Sequence, residues 1–407
     1  MGKFEKQLVT YTSACHGLVH VLELTFGVVL IGIAEEFGAG LFIFGILANI
    51  FGFAFGATAL PSGYLADRMS ERRLLILCCL GMGVSSVAVG LSPNIYVLGA
   101  ALLALGVALG ILHPTGTAFV ARVASQRGQG FGYFGTGGNL GIALGPIMAG
   151  AIASALGWRA SYLIFAIPAL LLGVMFYLSG RTEVFPEEQP ATQTSTDRVS
   201  LRPVALLLVL VFSAQVMNGF IYRGTVTFLP MYLAERTNFS LLGVDSLLIA
   251  GSLTTIALLF GVGGILLSGY LVDRKRPEIL AVLIALVCIP LLLLMGTSEG
   301  LMLIIFTAAF AFVYFMGQPV YNSLVADYSP NKWRGRMFGI SFFCSFGFGS
   351  FSASLLGYVA EKLSTNWIFW VIAGFQLLVL VLAITLYIVY RSRTMYSSSH
   401  VSQFLNH

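Results

Sequence analysis

The 407-residue chain is 57% apolar and only 10% charged, with a mean hydropathy of +0.90, whereas globular domains carry about 25% charged residues. A soluble fold of this size has too much surface for so few charges, which excludes soluble enzymes. The net charge is +5, but the basic residues lie singly between apolar runs instead of clustering on one face, which excludes a nucleic-acid binder.

At about 20 residues per membrane-spanning helix, twelve spans need roughly 240 residues and leave room for short loops and one longer linker. The apolar runs predict spans at 8–34, 41–66, 74–92, 95–121, 129–156, 159–180, 203–233, 245–272, 279–296, 300–326, 336–360 and 366–390. No alternating ten-residue strand pattern appears, so the spans are helices and not barrel strands. Lys3 and Lys6 before an apolar run suggest a signal peptide. The run continues to about residue 34 and contains His16, His20 and Glu23, so it is the first span. Cys15, Cys78, Cys79, Cys288 and Cys344 all lie inside apolar runs without disulfide or zinc spacing.

The stretch 181–202, with Pro186, Glu187, Glu188, Pro190 and a Thr/Ser-rich run, has linker composition. It divides the chain into a six-helix bundle at 1–180 and a second at 203–391, followed by an expected disordered tail at 392–407. Eighteen of the 22 Lys and Arg residues fall in loops on the side of the N-terminus; Arg159, Arg236 and Lys362 lie on the other side, and Arg223 within a span. That bias predicts both termini in the cytoplasm and a multi-pass protein of the inner (plasma) membrane.

Internal repeats support the two-part division. Gly63-Tyr64-Leu65-Ala66-Asp67-Arg68 recurs 206 residues later as Gly269-Tyr270-Leu271-Val272-Asp273-Arg274. Arg127-Gly128-x-x-Phe131-Gly132 recurs 207 residues later as Arg334-Gly335-x-x-Phe338-Gly339.

On these residues the sequence resembles the major facilitator superfamily over nearly its whole length. Gly63-x-Leu65-Ala66-Asp67-Arg68-x-Ser70-x-Arg72-Arg73 is similar to that family's loop signature between spans two and three, with Ser70 where Gly is usual. The resemblance implies an all-α integral membrane fold, with two pseudo-symmetric six-helix bundles rocking around a central cavity. It also implies a conformational latch made by Gly63, Asp67, Arg68 and Arg72 and by the repeat residues Gly269, Asp273 and Arg274. Locally, Gly63 permits close helix approach and Asp67 is suited to a neighbouring helix N-terminus. Gly132-x8-Gly141-x3-Gly145-Pro146-x2-Ala149-Gly150 in the fifth span resembles the motif of proton-coupled antiporters, with Ala149 in place of Gly. The alternative reading of this stripe is packing against Gly261, Gly263 and Gly264 of the eighth span, with Pro146 kinking the helix. Drug antiporters of the family usually carry an arginine in the fourth span, where this chain has Gly106.

Ionisable residues inside a bilayer are costly and mark a pathway or a partner. His16, His20 and Glu23 stand at i, i+4 and i+7, on one helical face expected to look into the cavity. Aligning Ala34-Glu35-Glu36 with Ala234-Glu235-Arg236, at an offset of 200, puts Glu23 opposite Arg223. The pair is expected either to bind substrate and proton or to form a permanent ion pair. Glu23, His20 and His16 are the proton-coupling candidates; a histidine, with an ordinary pKa of about 6.5, relays protons near neutral pH. Arg223, Asn218, Tyr222, His113, Gln318, Tyr314, Tyr321, Asn322 and Asn139 are the substrate candidates, and His113-Pro114 is echoed by Gln318-Pro319 at an offset of 205. Polar packing is the competing explanation for each of them.

The leading expectation is a proton-coupled exporter, an antiporter of a small organic compound, with anions among the candidates. The opening His16-x3-His20-x2-Glu23, the run at 110–114 and the fifth-span motif are also similar to fosmidomycin-resistance-type exporters. The alternatives are a proton-coupled importer of an organic anion and, less favoured, a transition-metal transporter using His16, His20 and Glu23. No Met or Cys pathway leads to that trio, so no metal is assigned. No nucleotide-binding loop is found, no cofactor is expected, and ion gradients must supply the energy. The expected partners are a small-molecule substrate, protons and the lipid bilayer, with one chain sufficient as a monomer and no nucleic acid.

Overall fold

The computed structural model describes residues 1–38, 41–178, 204–237 and 246–404. The expected linker at 181–202 lies outside the described residues. The described chain is helical throughout, without strands: α1 (Lys3–Phe37), α2 (Leu41–Ala66), α3 (Glu71–Gly90), α4 (Ile95–Gly110), α5 (Leu112–Val123), α6 (Arg127–Leu156), α7 (Trp158–Leu178), α8 (Ala205–Thr237), α9 (Ser246–Val272), α10 (Pro277–Thr297), α11 (Gly300–Phe315), α12 (Gly317–Tyr328), α13 (Arg334–Phe342), α14 (Ser352–Lys362) and α15 (Asn366–Phe404). Eleven helical stretches among the described residues are long and apolar enough to cross a membrane. Large apolar side chains cover the outside, Phe53 being 70% exposed. That surface suits lipid and would aggregate in water.

Three predicted spans are not single helices. The fourth breaks at Ile111 between α4 and α5, and the tenth at Met316 between α11 and α12. The cause is local, since Pro114 and Pro319 supply no N–H to the preceding turn and crowd its carbonyls. The breaks put His113 and Gln318 at matching points of the two halves. The eleventh span, predicted as 336–360, is α13, a wide π turn at Phe343–Phe348, and α14. α6, by contrast, runs unbroken through Pro146, where a kink is expected. α15 runs on to Phe404, through most of the expected disordered tail, because no Gly or Pro follows Gly374 to stop it.

Each half has its own core. Leu22, Met82, Tyr162 and Phe176 belong to the first, and Tyr232, Phe310 and Phe369 to the second. The second core continues into Ala59, Val120 and Phe131 of the first half, and a smaller cluster joins Ile142 and Ala143 to Leu258, Ile265 and Phe315. The bundles are therefore packed together at mid-molecule and at the end that carries the 66–71 and 272–277 connections, the latch end.

Candidate functional site

The two repeated motifs are each other's partners. Asp67, at the end of α2, accepts the N–H of Gly335 at 2.7 Å and of Arg336 at 3.1 Å, in the first turn of α13. Arg336 Nε lies 3.0 Å from the same carboxylate. Asp273, at the end of α9, accepts the N–H of Gly128 at 2.8 Å and of Gln129 at 2.9 Å, in the first turn of α6. Each carboxylate thus satisfies orphan donors at a helix N-terminus of the opposite bundle, where the helix dipole favours negative charge. The approach needs glycine: a Cβ on Gly63 would lie 2.8 Å from Gly339 Cα, and one on Gly269 would lie 2.9 Å from Gly132 Cα. Arg68 and Arg274 instead stack over their own motif tyrosines, 4.2 Å from Tyr64 and 3.5 Å from Tyr270. Arg72 donates to the last carbonyls of α7, that of Phe176 at 2.8 Å. Burial pushes the Asp67 carboxyl above its ordinary range, against the pull of the Gly335 and Arg336 N–H groups and the Arg336 guanidinium.

At mid-molecule α1 presents His16, His20 and Glu23 inward, all buried. Glu23 Oε2 lies 2.6 Å from His20 Nδ1, His20 Nε2 lies 3.1 Å from His16 Nε2, and His16 Nδ1 lies 2.8 Å from the Phe134 carbonyl oxygen. Arg223 of α8 brings Nη1 to 3.6 Å from Glu23 Oε1, so the acid and base placed opposite one another by the repeat do meet across the bundles. That Glu23 oxygen is buried and has no hydrogen-bond partner among the described residues. His113 comes in from the α4–α5 break with its ring centroid 5.0 Å from that of His16 and 5.2 Å from that of His20. Neither of its ring nitrogens has a hydrogen-bond partner among the described residues. Glu23 sits behind His20, so His113, and not Glu23, stands third beside the two α1 histidines.

A central cavity of about 110 Å³ opens beside this chain of contacts. Among its lining residues are His20 and every substrate candidate except Arg223, which reaches the site through Glu23. Tyr222 Oη, Asn322 Nδ2 and Asn139 Oδ1 are buried there without hydrogen-bond partners among the described residues. An unmatched polar atom in such a place costs about 1–3 kcal/mol, which a bound polar ligand recovers. Other candidates are partly committed: Asn139 Nδ2 donates to the Leu258 carbonyl at 2.7 Å, and Tyr314 Oη to that of Asn218 at 2.9 Å. The sequence reading missed Gln215, Phe342, Ser345 and Phe346. Gln215, a buried amide three residues before Asn218 in an apolar helix, was open to discovery by its spacing. The other three depend on the π turn and the helix leading into it, and no sequence period signals that.

The fifth-span stripe is a packing device with two partners: Gly132 meets α9, the partner expected, where a Cβ would lie 3.3 Å from Gly269 Cα, and the residues beyond it meet α1. A Cβ on Gly141 would overlap the Gly17 carbonyl, and one on Gly145 would lie 3.0 Å from Val21 Cα, so the stripe seats α1. Gly150 has only ordinary clearance, 3.5 Å from Val28 Cγ1. Of the three α9 glycines expected there, Gly263 and Gly264 pack on Phe312 of α11, and only Gly261 approaches α6, through Asn139. Gly106 packs on α2, where a Cβ would lie 2.5 Å from the Phe51 carbonyl oxygen. An arginine has no room there, so the arginine of the drug antiporters has no counterpart.

Residues 12–354 match the model of the Major Facilitator Superfamily. A probable L-galactonate transporter of Escherichia coli is 21% identical over 81% of this chain and 77% of its own length. A multidrug resistance protein, MdtG, also of Escherichia coli, is 28% identical over 70% of each chain. The crystal structure of the human organic anion transporter MFSD10 superposes with a TM-score of 0.74 at 18% identity, covering 94% of this chain and 100% of that one, a likeness of fold.

Proposed function

The chain belongs to the Major Facilitator Superfamily, and on that premise we propose that it carries a small organic anion together with a proton by alternating access. In this reading residues 334–362 count as the eleventh of twelve spans. The bundles are 1–180 and 203–391, both termini and the latch end face the cytoplasm of a bacterial cell, and one chain is the working unit.

The observation that carries the reading is the loose pair of Glu23 and Arg223. At 3.6 Å and without a hydrogen bond, the guanidinium is placed to leave Glu23 for an anion in the adjoining cavity. A buried carboxylate that loses its counter-charge is favoured by taking up a proton, which His20 and His16 relay. Anion and proton then enter and leave together. The relative named for L-galactonate supports an anionic cargo.

A second reading is efflux by antiport, with proton and cargo competing at Glu23. The fifth-span motif and the relative named for multidrug resistance favour it. In a thermal-shift screen of the purified protein with anionic metabolites, phosphonates, cationic drugs and divalent metals, anions stabilise wild type and Glu23→Gln but not Arg223→Gln. Stabilisation by cationic drugs, lost in Glu23→Gln and kept in Arg223→Gln, replaces this reading with antiport. Ligand binding unchanged in both variants makes the pair structural.

A further inference from the structure

The three buried histidines carry a consequence that does not depend on the cargo. The Phe134 carbonyl only accepts hydrogen bonds, so the proton of His16 is on Nδ1; the Glu23 carboxylate, while ionised, likewise takes the Nδ1 proton of His20. When both rings are neutral and Glu23 is ionised, the Nε2 atoms present lone pairs, and they face one another at 3.1 Å. Two lone pairs at that separation repel unless a cation lies between them. The third ring, His113, is 2% exposed and has no hydrogen-bond partner at either nitrogen among the described residues. One nitrogen from each of the three lies within 4.8 Å of the others.

We propose that His16, His20 and His113 form a binding site for a zinc-class divalent cation, with its fourth position open to the central cavity. At zinc–nitrogen distances of about 2.0–2.1 Å, tetrahedral ligands stand roughly 3.4 Å apart. The two α1 histidines are already near that spacing, and His113, packed against Phe55, Phe342 and Phe346 as well as the two histidines, closes the remainder by turning its imidazole. The surroundings are those that metal-ligating histidines require. His20 donates its other nitrogen to a carboxylate and His16 to a backbone carbonyl, which fixes tautomer and ring orientation. An all-imidazole set selects zinc, cobalt or nickel over calcium and magnesium, which take oxygen ligands. His20 and His113 both line the cavity, so solvent or a cargo carboxylate completes the sphere. The cation takes the place of the relayed proton and balances the charge of Glu23, and it therefore blocks proton coupling.

The test uses the full chain purified with a non-histidine tag, titrated with Co²⁺ and then with Zn²⁺. The readouts are visible absorption of four-coordinate cobalt and metal content after gel filtration. The expected result is one Co²⁺ per chain, displaced by Zn²⁺. His113→Phe, which suits its aromatic surroundings, and His113→Asn both lose the spectrum. Glu23→Gln weakens binding by about 10–100-fold through its loss of hold on His20. The double variant His400→Asn/His407→Asn, which removes the tail histidines, keeps the site. Absence of a cobalt spectrum in wild type, or one that survives both His113 variants, overturns the proposal and leaves a shared proton between the Nε2 atoms.

Discussion

Asp67 and Gly335 are 268 residues apart in sequence and are joined by a 2.7 Å hydrogen bond across the two bundles, the carboxylate accepting the first-turn N–H of α13. Asp273 and Gly128 repeat the relationship at 2.8 Å with the bundles exchanged. Asp67 and Asp273 thus make two crossed contacts of the same construction between the bundles at one end of the molecule.

Replacing either aspartate with alanine removes hydrogen bonds to a charged acceptor, each worth about 1.5–3 kcal/mol. Asp67→Ala and Asp273→Ala therefore shift the population toward a state open at the latch end, and the double variant shifts it further. Distances between spin labels on the 66–71 and 328–334 connections report the change. An unchanged distance distribution in the double variant excludes the latch as a determinant of closure.

Closure also depends on pH. Burial raises the Asp67 carboxyl in the closed state, so the closed form binds a proton more tightly than the solvated open form. This contribution to closure is fully present below the solvated carboxylate range and is lost as pH rises through the raised value. The same spin labels should report more closed molecules on acidification in wild type and a flatter response in Asp67→Asn.

Removing Arg223 leaves Glu23 buried without its counter-charge. A fully buried pair broken in this way costs about 3–5 kcal/mol; here the cost is smaller, because the guanidinium side chain is 26% exposed. Arg223→Gln should melt below wild type, and Glu23→Gln/Arg223→Gln should regain most of the loss while staying inactive in proteoliposome transport. A double variant that transports normally excludes the pair from the cycle.

The glycine stripe of α6 predicts effects of opposite sign within one helix. Gly141→Ala drives a methyl group into the Gly17 carbonyl, and overpacking of this kind costs about 1–3 kcal/mol. Gly150→Ala meets only ordinary clearance, and its gain in helix preference is about 0.5–1 kcal/mol. Thermal midpoints of the two variants measured side by side test this directly.

Much of the architecture is legible in the sequence, for local reasons. Apolar runs of spanning length demand helices, because lipid offers no partner to a free backbone group. The breaks before the prolines at 114 and 319 are not legible, since both spans read as continuous and α2, α6, α7 and α10 run unbroken through Pro61, Pro146, Pro168 and Pro290. The offset of 200 between the halves brings Glu23 opposite Arg223, and the structure joins them at 3.6 Å.

What the sequence by itself determined is therefore the helical, membrane-spanning character of the chain, the recurrence of its motifs and the set of polar residues placed inside it. The tertiary structure alone decided the pairing of each motif with its counterpart in the other bundle, the seating of α1 on the α6 glycines, the π turn at Phe343–Phe348 and the meeting of His113 with His16 and His20. Periodicity and motif spacing describe a chain against its own axis. Contacts between groups a hundred or more residues apart are set by how closely helices pack, and that depends on every side chain at the interface at once.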